Sequence, residues 1–345
     1  MTQKLYRSGF DYICDNMAEF ISQIEINNFK SIRNAKIRNC RRINLFIGRP
    51  NVGKSNILEA LSLFTVPYLN FQPRQLERLV RCESLSELFY GGSYEETAYV
   101  ETNLGSVQLM LDKIDDLDLK FVDPTATTVE HYYVDERLKM GRNGKASGVL
   151  PRIKKYTFAT GFENQDVKMH YLLPPYGDNL YRVIELNPDL KKEFQALFRE
   201  YQLELTFDRA SQSLKVLKRN KEGTIFLIPY HSIADTLQRI IFYKTAIASN
   251  KDSVLLFEEP EAHSFPPYIT KITQEMIYNR SNQYFVATHS PFILNDLLEN
   301  AGAELSVYLV DYKNQETKIK HLNDKTMHDI SQSGVDLFTN WETFA

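Results

Sequence analysis

Short, nearly continuous apolar runs recur along the chain at 43–47 (Ile43-Asn44-Leu45-Phe46-Ile47), Val254 to Phe257, Tyr284 to Ala287 and Leu305 to Val310. Strands that are apolar throughout are covered on both faces, so these runs predict parallel strands alternating with helices. A further strand is predicted at Phe20 to Ile26. Directly after the first run, Ile57 to Phe64 places apolar residues at helical spacing. Between 65 and 225 the pattern changes: Val107 to Leu111, Tyr132 to Val134, Tyr156 to Phe158 and Leu203 to Phe207 predict short strands, and Leu190 to Tyr201 a helix. Residues 1–20 are polar and aromatic with no clear period. The pattern predicts an α/β chain with an N-terminal appendage over 1–20 and a core split between 21–64 and 226–312. A mixed α+β lobe is inserted over 65–225, and a tail follows over 313–345.

The first strand and helix enclose Gly48-Arg49-Pro50-Asn51-Val52-Gly53-Lys54-Ser55, a full G-x-x-x-x-G-K-S phosphate loop. A strand–loop–helix junction suits anions, because free backbone N–H groups and the positive helix end point at the same place. Gly48 and Gly53 let the backbone bend and approach. Lys54 is expected to reach the β- and γ-phosphates, and the Ser55 hydroxyl to ligate Mg²⁺. The motif predicts a P-loop nucleotide-binding protein.

The second half of the chemistry lies far along the chain. Val254 to Phe257 runs into Glu258-Glu259-Pro260-Glu261, and strand C-termini are where open α/β sheets place ligands. One carboxylate can hold Mg²⁺ through water and the next can orient or deprotonate the attacking water. The run Phe285-Val286-Ala287-Thr288 ends in His289, which can meet a γ-phosphate from a neighbouring strand.

Composition narrows the picture little. At 345 residues with 43% hydrophobic and 25% charged residues, the chain is an ordinary globular one. A net charge of −3 gives no global attraction for nucleic acid, so any such contact must be local. Cys14, Cys40 and Cys82 lack metal-like spacing and suit a reducing cytosol. No run approaches the length of a membrane span, which predicts a soluble, cytoplasmic protein. No Cys/His cluster and no Gly-x-Ser-x-Gly elbow suggests a second chemistry, and Asp115-Asp116-Leu117-Asp118 reads as a solvated acidic turn.

Taken together, Ile26-Asn27-Asn28-Phe29-Lys30-Ser31-Ile32, the loop at 48–56, Phe257-Glu258-Glu259-Pro260-Glu261-Ala262-His263 and Ala287-Thr288-His289-Ser290-Pro291 resemble the ABC-type ATPases of the RecF/SMC/OLD group. The resemblance is closest to stand-alone ATPase subunits of bacterial anti-phage defence systems. It implies the fold of an ABC ATPase head, with ATP and Mg²⁺ as cofactors. It also implies nucleotide contacts from Gly48, Asn51, Gly53, Lys54, Ser55 and Asn56, metal ligation by Ser55 and Glu258, a catalytic Glu259 and a switch histidine at His289. A D-loop around Glu261–Ser264 and an ATP-sandwich dimer or higher homo-oligomer are implied as well. Two departures stand out. Glu258 occupies a position where Asp is commoner, and no Leu-Ser-Gly-Gly signature precedes the acidic strand. In its place Tyr230-His231-Ser232-Ile233-Ala234-Asp235-Thr236 offers Ser232, Asp235 and Thr236 as helix N-caps.

Residues 137–155 hold seven basic residues (Arg137, Lys139, Arg142, Lys145, Arg152, Lys154 and Lys155) and no acid, predicting an exposed cationic loop open to DNA contact. In the tail, Leu337, Phe338, Trp341 and Phe344 offer either a packed end or a docking surface. Two functions follow as expectations. One is an ATPase subunit whose nucleotide state gates a separately encoded effector, a nuclease or toxin, in anti-phage defence. The other is a RecF/SMC-like DNA-binding clamp. A metabolic kinase is disfavoured, because no acceptor-substrate motif is present and paired acids with a histidine suit water as nucleophile.

Overall fold

The computed structural model describes residues 20–111, 116–123, 129–144, 149–161, 167–333 and 336–344. The predicted appendage, apart from Phe20, and Lys145 of the basic stretch lie outside them. In chain order the first elements are β1 (Ile24–Phe29), β2 (Ile32–Ile37), β3 (Ile43–Ile47) and α1 (Lys54–Ser62). Five strands follow: β4 (Ala98–Thr102), β5 (Gly105–Leu111), β6 (Leu117–Val122), β7 (Val129–Val134) and β8 (Met140–Asn143). Next come β9 (Ile153–Tyr156), α2 (Leu180–Leu186), α3 (Pro188–Arg199), β10 (Glu204–Asp208), β11 (Ser213–Arg219) and β12 (Ile225–Pro229). The last third holds α4 (Asp235–Ser249), β13 (Val254–Glu258), α5 (Pro266–Tyr278), β14 (Gln283–Thr288), α6 (Pro291–Asn300), β15 (Leu305–Lys313), β16 (Glu316–His321), α7 (Asp324–Ser333) and α8 (Trp341–Phe344).

The four apolar runs are strands of one sheet, ordered β16-β15-β3-β14-β13-β9 and parallel except for β16. Its residues alternate between two cores, as a strand's period of two requires. Val254 and Leu256 of β13 face α1 and a second, antiparallel sheet ordered β2-β1-β4-β5-β6-β7-β8. Leu255 and Phe257 face the other way, into a layer formed by α4, α5, α6, α7 and α8. A smaller core joins α2, α3 and α4 to the three-stranded sheet β10-β11-β12.

Two features redraw the expected partition of the chain. The core sheet takes β9 from inside 65–225 and β16 from beyond 312, while β4–β8 extend the β1–β2 hairpin rather than standing apart. Each addition covers a strand edge whose N–H and C=O groups would otherwise lack partners. The strand expected at Tyr156 to Phe158 lies earlier, at Ile153–Tyr156, and all four of its residues are buried. Lys154 and Lys155 are therefore not part of an exposed loop. Lys154 Nζ donates to Asn250 Oδ1 (2.6 Å) and Ser253 Oγ (3.1 Å), and Lys155 Nζ to the Leu79 carbonyl (2.7 Å). The tail packs: Leu337 and Trp341 are buried in the helical-face core, with Phe338 and Phe344 against it. Among the described residues no helix is long and apolar enough to cross a membrane.

Candidate nucleotide-binding site

Strands β3, β14 and β13 are adjacent and parallel, so the loops that leave their C-terminal ends share one edge of the sheet. This brings residues 48–55, 258–261 and 289 together. After β3 the chain turns through Asn51 (φ 60°) and Gly53 (φ 101°) before entering α1. A Cβ at Gly48 would lie 2.2 Å from the Val310 carbonyl oxygen, and one at Gly53 would lie 2.1 Å from Thr317 Oγ1. Both glycines are thus required by close approach, and Gly53 by its left-handed backbone as well.

Lys54 is buried in the loop, its Nζ donating to the carbonyls of Gly48 (2.9 Å) and Arg49 (2.8 Å). Burial pulls its pKa down to about 8, against the opposing fields of Glu259, Glu258 and Glu261. Those three carboxylates act on Lys54 across more than 200 positions of sequence because the sheet folds them together. The Ser55 hydroxyl, in the first turn of α1, has no protein partner among the described residues. The Asn56 amide donates to Ser31 Oγ (2.6 Å), which ties this side chain to the β1–β2 turn.

Glu258 ends β13 with its carboxylate held by Arg81 Nη2 (2.9 Å), and Lys155 Nζ lies 4.0 Å from its other oxygen. Arg81 Nε also donates to Glu59 Oε1 (2.7 Å), and Lys30 pairs with the other Glu59 oxygen. Glu59 is fully buried on α1. Burial alone would raise its carboxyl, but Lys30, Lys155 and Arg81 outweigh this and hold it below the usual range. Burial pushes the Lys155 amine down, opposed by Glu258 and Glu59. The cluster anchors Glu258 and was missed from sequence. Lys30 and Lys155 fall in segments with a sequence signal and Glu59 in the predicted helix, but nothing local marks their pairing with Glu258 or the part played by Arg81.

Glu259 follows in left-handed backbone (φ 42°), its N–H donating to the Ala287 carbonyl (2.8 Å) and its side chain about half exposed. His289 Nε2 stands 3.7 Å from Glu259 Oε1. Burial and the Lys54 charge lower the histidine's pKa, which favours a neutral imidazole at this position. Glu261 Oε1 accepts from Thr288 Oγ1 and from the His289 N–H (3.0 Å), tying the turn after β13 to the end of β14. Burial raises its carboxyl pKa.

The helix that stands in the place of the missing Leu-Ser-Gly-Gly signature, α4, starts at Asp235 with Ala234 as N-cap. None of Ser232, Asp235 or Thr236 caps it through a side chain. Asp235 Oδ2 instead accepts from Arg239 Nε (3.0 Å), and Thr236 Oγ1 donates to the His263 carbonyl (2.9 Å).

A parallel α/β sheet with a phosphate loop after one strand and carboxylates after another defines a P-loop ATPase fold of the AAA/ABC kind. The chain belongs to the AAA ATPase domain family, whose profile matches residues 20–196. A second profile, described as "AAA domain, putative AbiEii toxin, Type IV TA system", matches residues 135–295. An ATP/GTP phosphatase of Helicobacter pylori is 32% identical over 109 residues, 30% of this chain and 28% of that protein. An uncharacterized protein of Methanocaldococcus jannaschii is 50% identical over 44 residues, 13% of this chain and 20% of that protein. The chain thus spans under a third of either relative. Among solved structures it is similar to an SMC head bound to the C-terminal winged-helix domain of ScpA (TM-score 0.48, 13% identity, 90% of this chain and 100% of the other). It is also similar to the SMC head domain from Thermotoga maritima (TM-score 0.43, 12% identity, 88% and 99%).

Proposed function

We infer that the chain hydrolyses ATP at this edge of the sheet. Lys54 neutralises the phosphates, Glu259 orients and deprotonates the water, and His289 contacts the γ-phosphate as a neutral donor. The observation that carries the reading is the convergence of Lys54, Glu259 and His289 at the ends of three adjacent parallel strands. A half-exposed carboxylate beside a histidine is open to water. Ser55 and Glu258 fit Mg²⁺, since a free hydroxyl and a fixed carboxylate are hard oxygen donors. When bound, the ion neutralises charge on the phosphate oxygens.

The test is a pair of variants. Glu259→Gln keeps the shape and removes the base, so nucleotide binding is expected to persist while hydrolysis falls about 10²-fold or more. Lys54→Ala is expected to lose binding itself. Hydrolysis at the native rate in Glu259→Gln would move the base elsewhere, with Glu261 next in line.

Gating of a separately encoded effector in defence is the reading we favour at the level of biology. Its support is the toxin–antitoxin description of the profile matching 135–295. The DNA-clamp alternative loses two of its seven cations, because Lys154 and Lys155 are buried in β9. Copurification of an effector with the tagged chain from its native host would favour the first reading, and ATP-dependent, salt-sensitive DNA affinity of the chain alone the second.

A further inference from the structure

The phosphate loop is held from behind by three side chains drawn from distant parts of the chain. Asn56 Nδ2 donates to Ser31 Oγ (2.6 Å), Ser31 Oγ lies 2.7 Å from Thr317 Oγ1, and Thr317 Oγ1 donates to the Val52 carbonyl (2.9 Å). An amide NH₂ can only donate and a carbonyl can only accept, so the protons run in one direction, from Asn56 through Ser31 and Thr317 to Val52. Thr317 is 1% exposed, and its backbone N–H donates to the Ser31 carbonyl (2.9 Å), which fixes β16 against the β1–β2 turn. The same hydroxyl oxygen occupies the space that a Cβ at Gly53 would need.

The peptide plane converts this anchor into a statement about the nucleotide. In a trans peptide the C=O and the following N–H point in opposite directions. With the Val52 carbonyl bound to Thr317 behind the loop, the Gly53 N–H faces the other way, to the side where phosphate is expected. We propose that Thr317, oriented by Ser31 and Asn56, is a positioning residue that sets the Val52–Gly53 peptide to present an N–H to the phosphates. Without the anchor this peptide can turn over, as Gly53 has no Cβ to resist, and a carbonyl oxygen then meets the anion. β16, from the segment expected to be a tail, thereby becomes part of the nucleotide site. The proposal rests on the nucleotide-binding reading above.

Thr317→Val keeps the branched shape and removes the hydroxyl, while Thr317→Ser restores it. With a fluorescent ATP analogue and steady-state hydrolysis on the full chain, Thr317→Val is expected to weaken binding about tenfold or more, since a buried carbonyl loses its donor. KM should rise with kcat nearly unchanged, and Thr317→Ser should return affinity to within about twofold of native. Ser31→Ala breaks the relay one link away and serves if Thr317→Val does not fold; it is expected to weaken binding in the same direction. Equal affinity in native and Thr317→Val chains, an unrescued Thr317→Ser, or a folded Ser31→Ala of native affinity would overturn the proposal alone. A native chain that binds no nucleotide would overturn the nucleotide reading with it.

Discussion

Among single residues, Glu59 links the phosphate-loop helix to the end of the acidic strand. It is fully buried on the helix that leaves the phosphate loop, and it shares Arg81 with Glu258. Three cations meet two carboxylates here, so removing one charge leaves Lys30 and the buried Lys155 undercompensated. Glu59→Gln is expected to destabilise the protein by about 3 kcal/mol. That is the low end for breaking a buried ion pair, because the Arg81 side chain is itself largely exposed. Urea midpoints of the native and variant chains measure it; an unchanged midpoint would mean that solvent already screens the cluster. The same variant is expected to slow hydrolysis modestly, through a less rigid Glu258.

At the level of elements, the short terminal helix α8 docks its Trp341 ring into the helical-face core, yet among the described residues the indole Nε1 has no hydrogen-bond partner. The ring therefore contributes volume and apolar area but no polar anchor. Trp341→Ala is expected to cost about 3–5 kcal/mol, and Trp341→Phe, which keeps most of the volume, under about 1.5 kcal/mol. Thermal or urea denaturation distinguishes the two, and equal losses would refute the packing account. The elements also show what was readable beforehand. The parallel strands were legible because each is apolar on both faces, and the phosphate loop because its spacing is fixed by the anion it fits. β9 was hidden by its two lysines, whose ammonium groups reach polar partners while their stems fill a buried strand. Thr317, Arg81 and Glu59 carry no local pattern; only the fold reveals that they stand behind the loop or beside Glu258.

On the scale of the whole molecule, one chain supplies the phosphate loop, the carboxylates and the histidine of the site. Phe265 and Phe292, at the starts of α5 and α6 on this edge, are 63% and 56% exposed. The first turn of α4 is tied to the turn after β13 through Thr236, and the charge of Asp235 is offset by Arg239. These features fit a face covered by a second copy. The chain is expected to dimerise with ATP and Mg²⁺, most stably as Glu259→Gln, with specific activity rising with concentration below the dimer Kd. Light scattering that shows a monomer under these conditions, with concentration-independent activity, would refute it.

The interleaving of the core sheet also bears on how the chain comes to be folded at all. Phe46 of β3 pairs with Ala287 of β14 and Tyr308 of β15, so the strand that leads into the phosphate loop gains its neighbours only when the last third of the chain exists. At ribosomal speeds of about 5–20 residues per second, that wait is roughly 10–50 s. During it an apolar strand has no sheet to join, while β1, β2 and β4–β8 can already pair among themselves. The antiparallel sheet can therefore form first and act as the template against which the nucleotide site is later assembled, with slow closure as the cost of joining strands so distant in sequence.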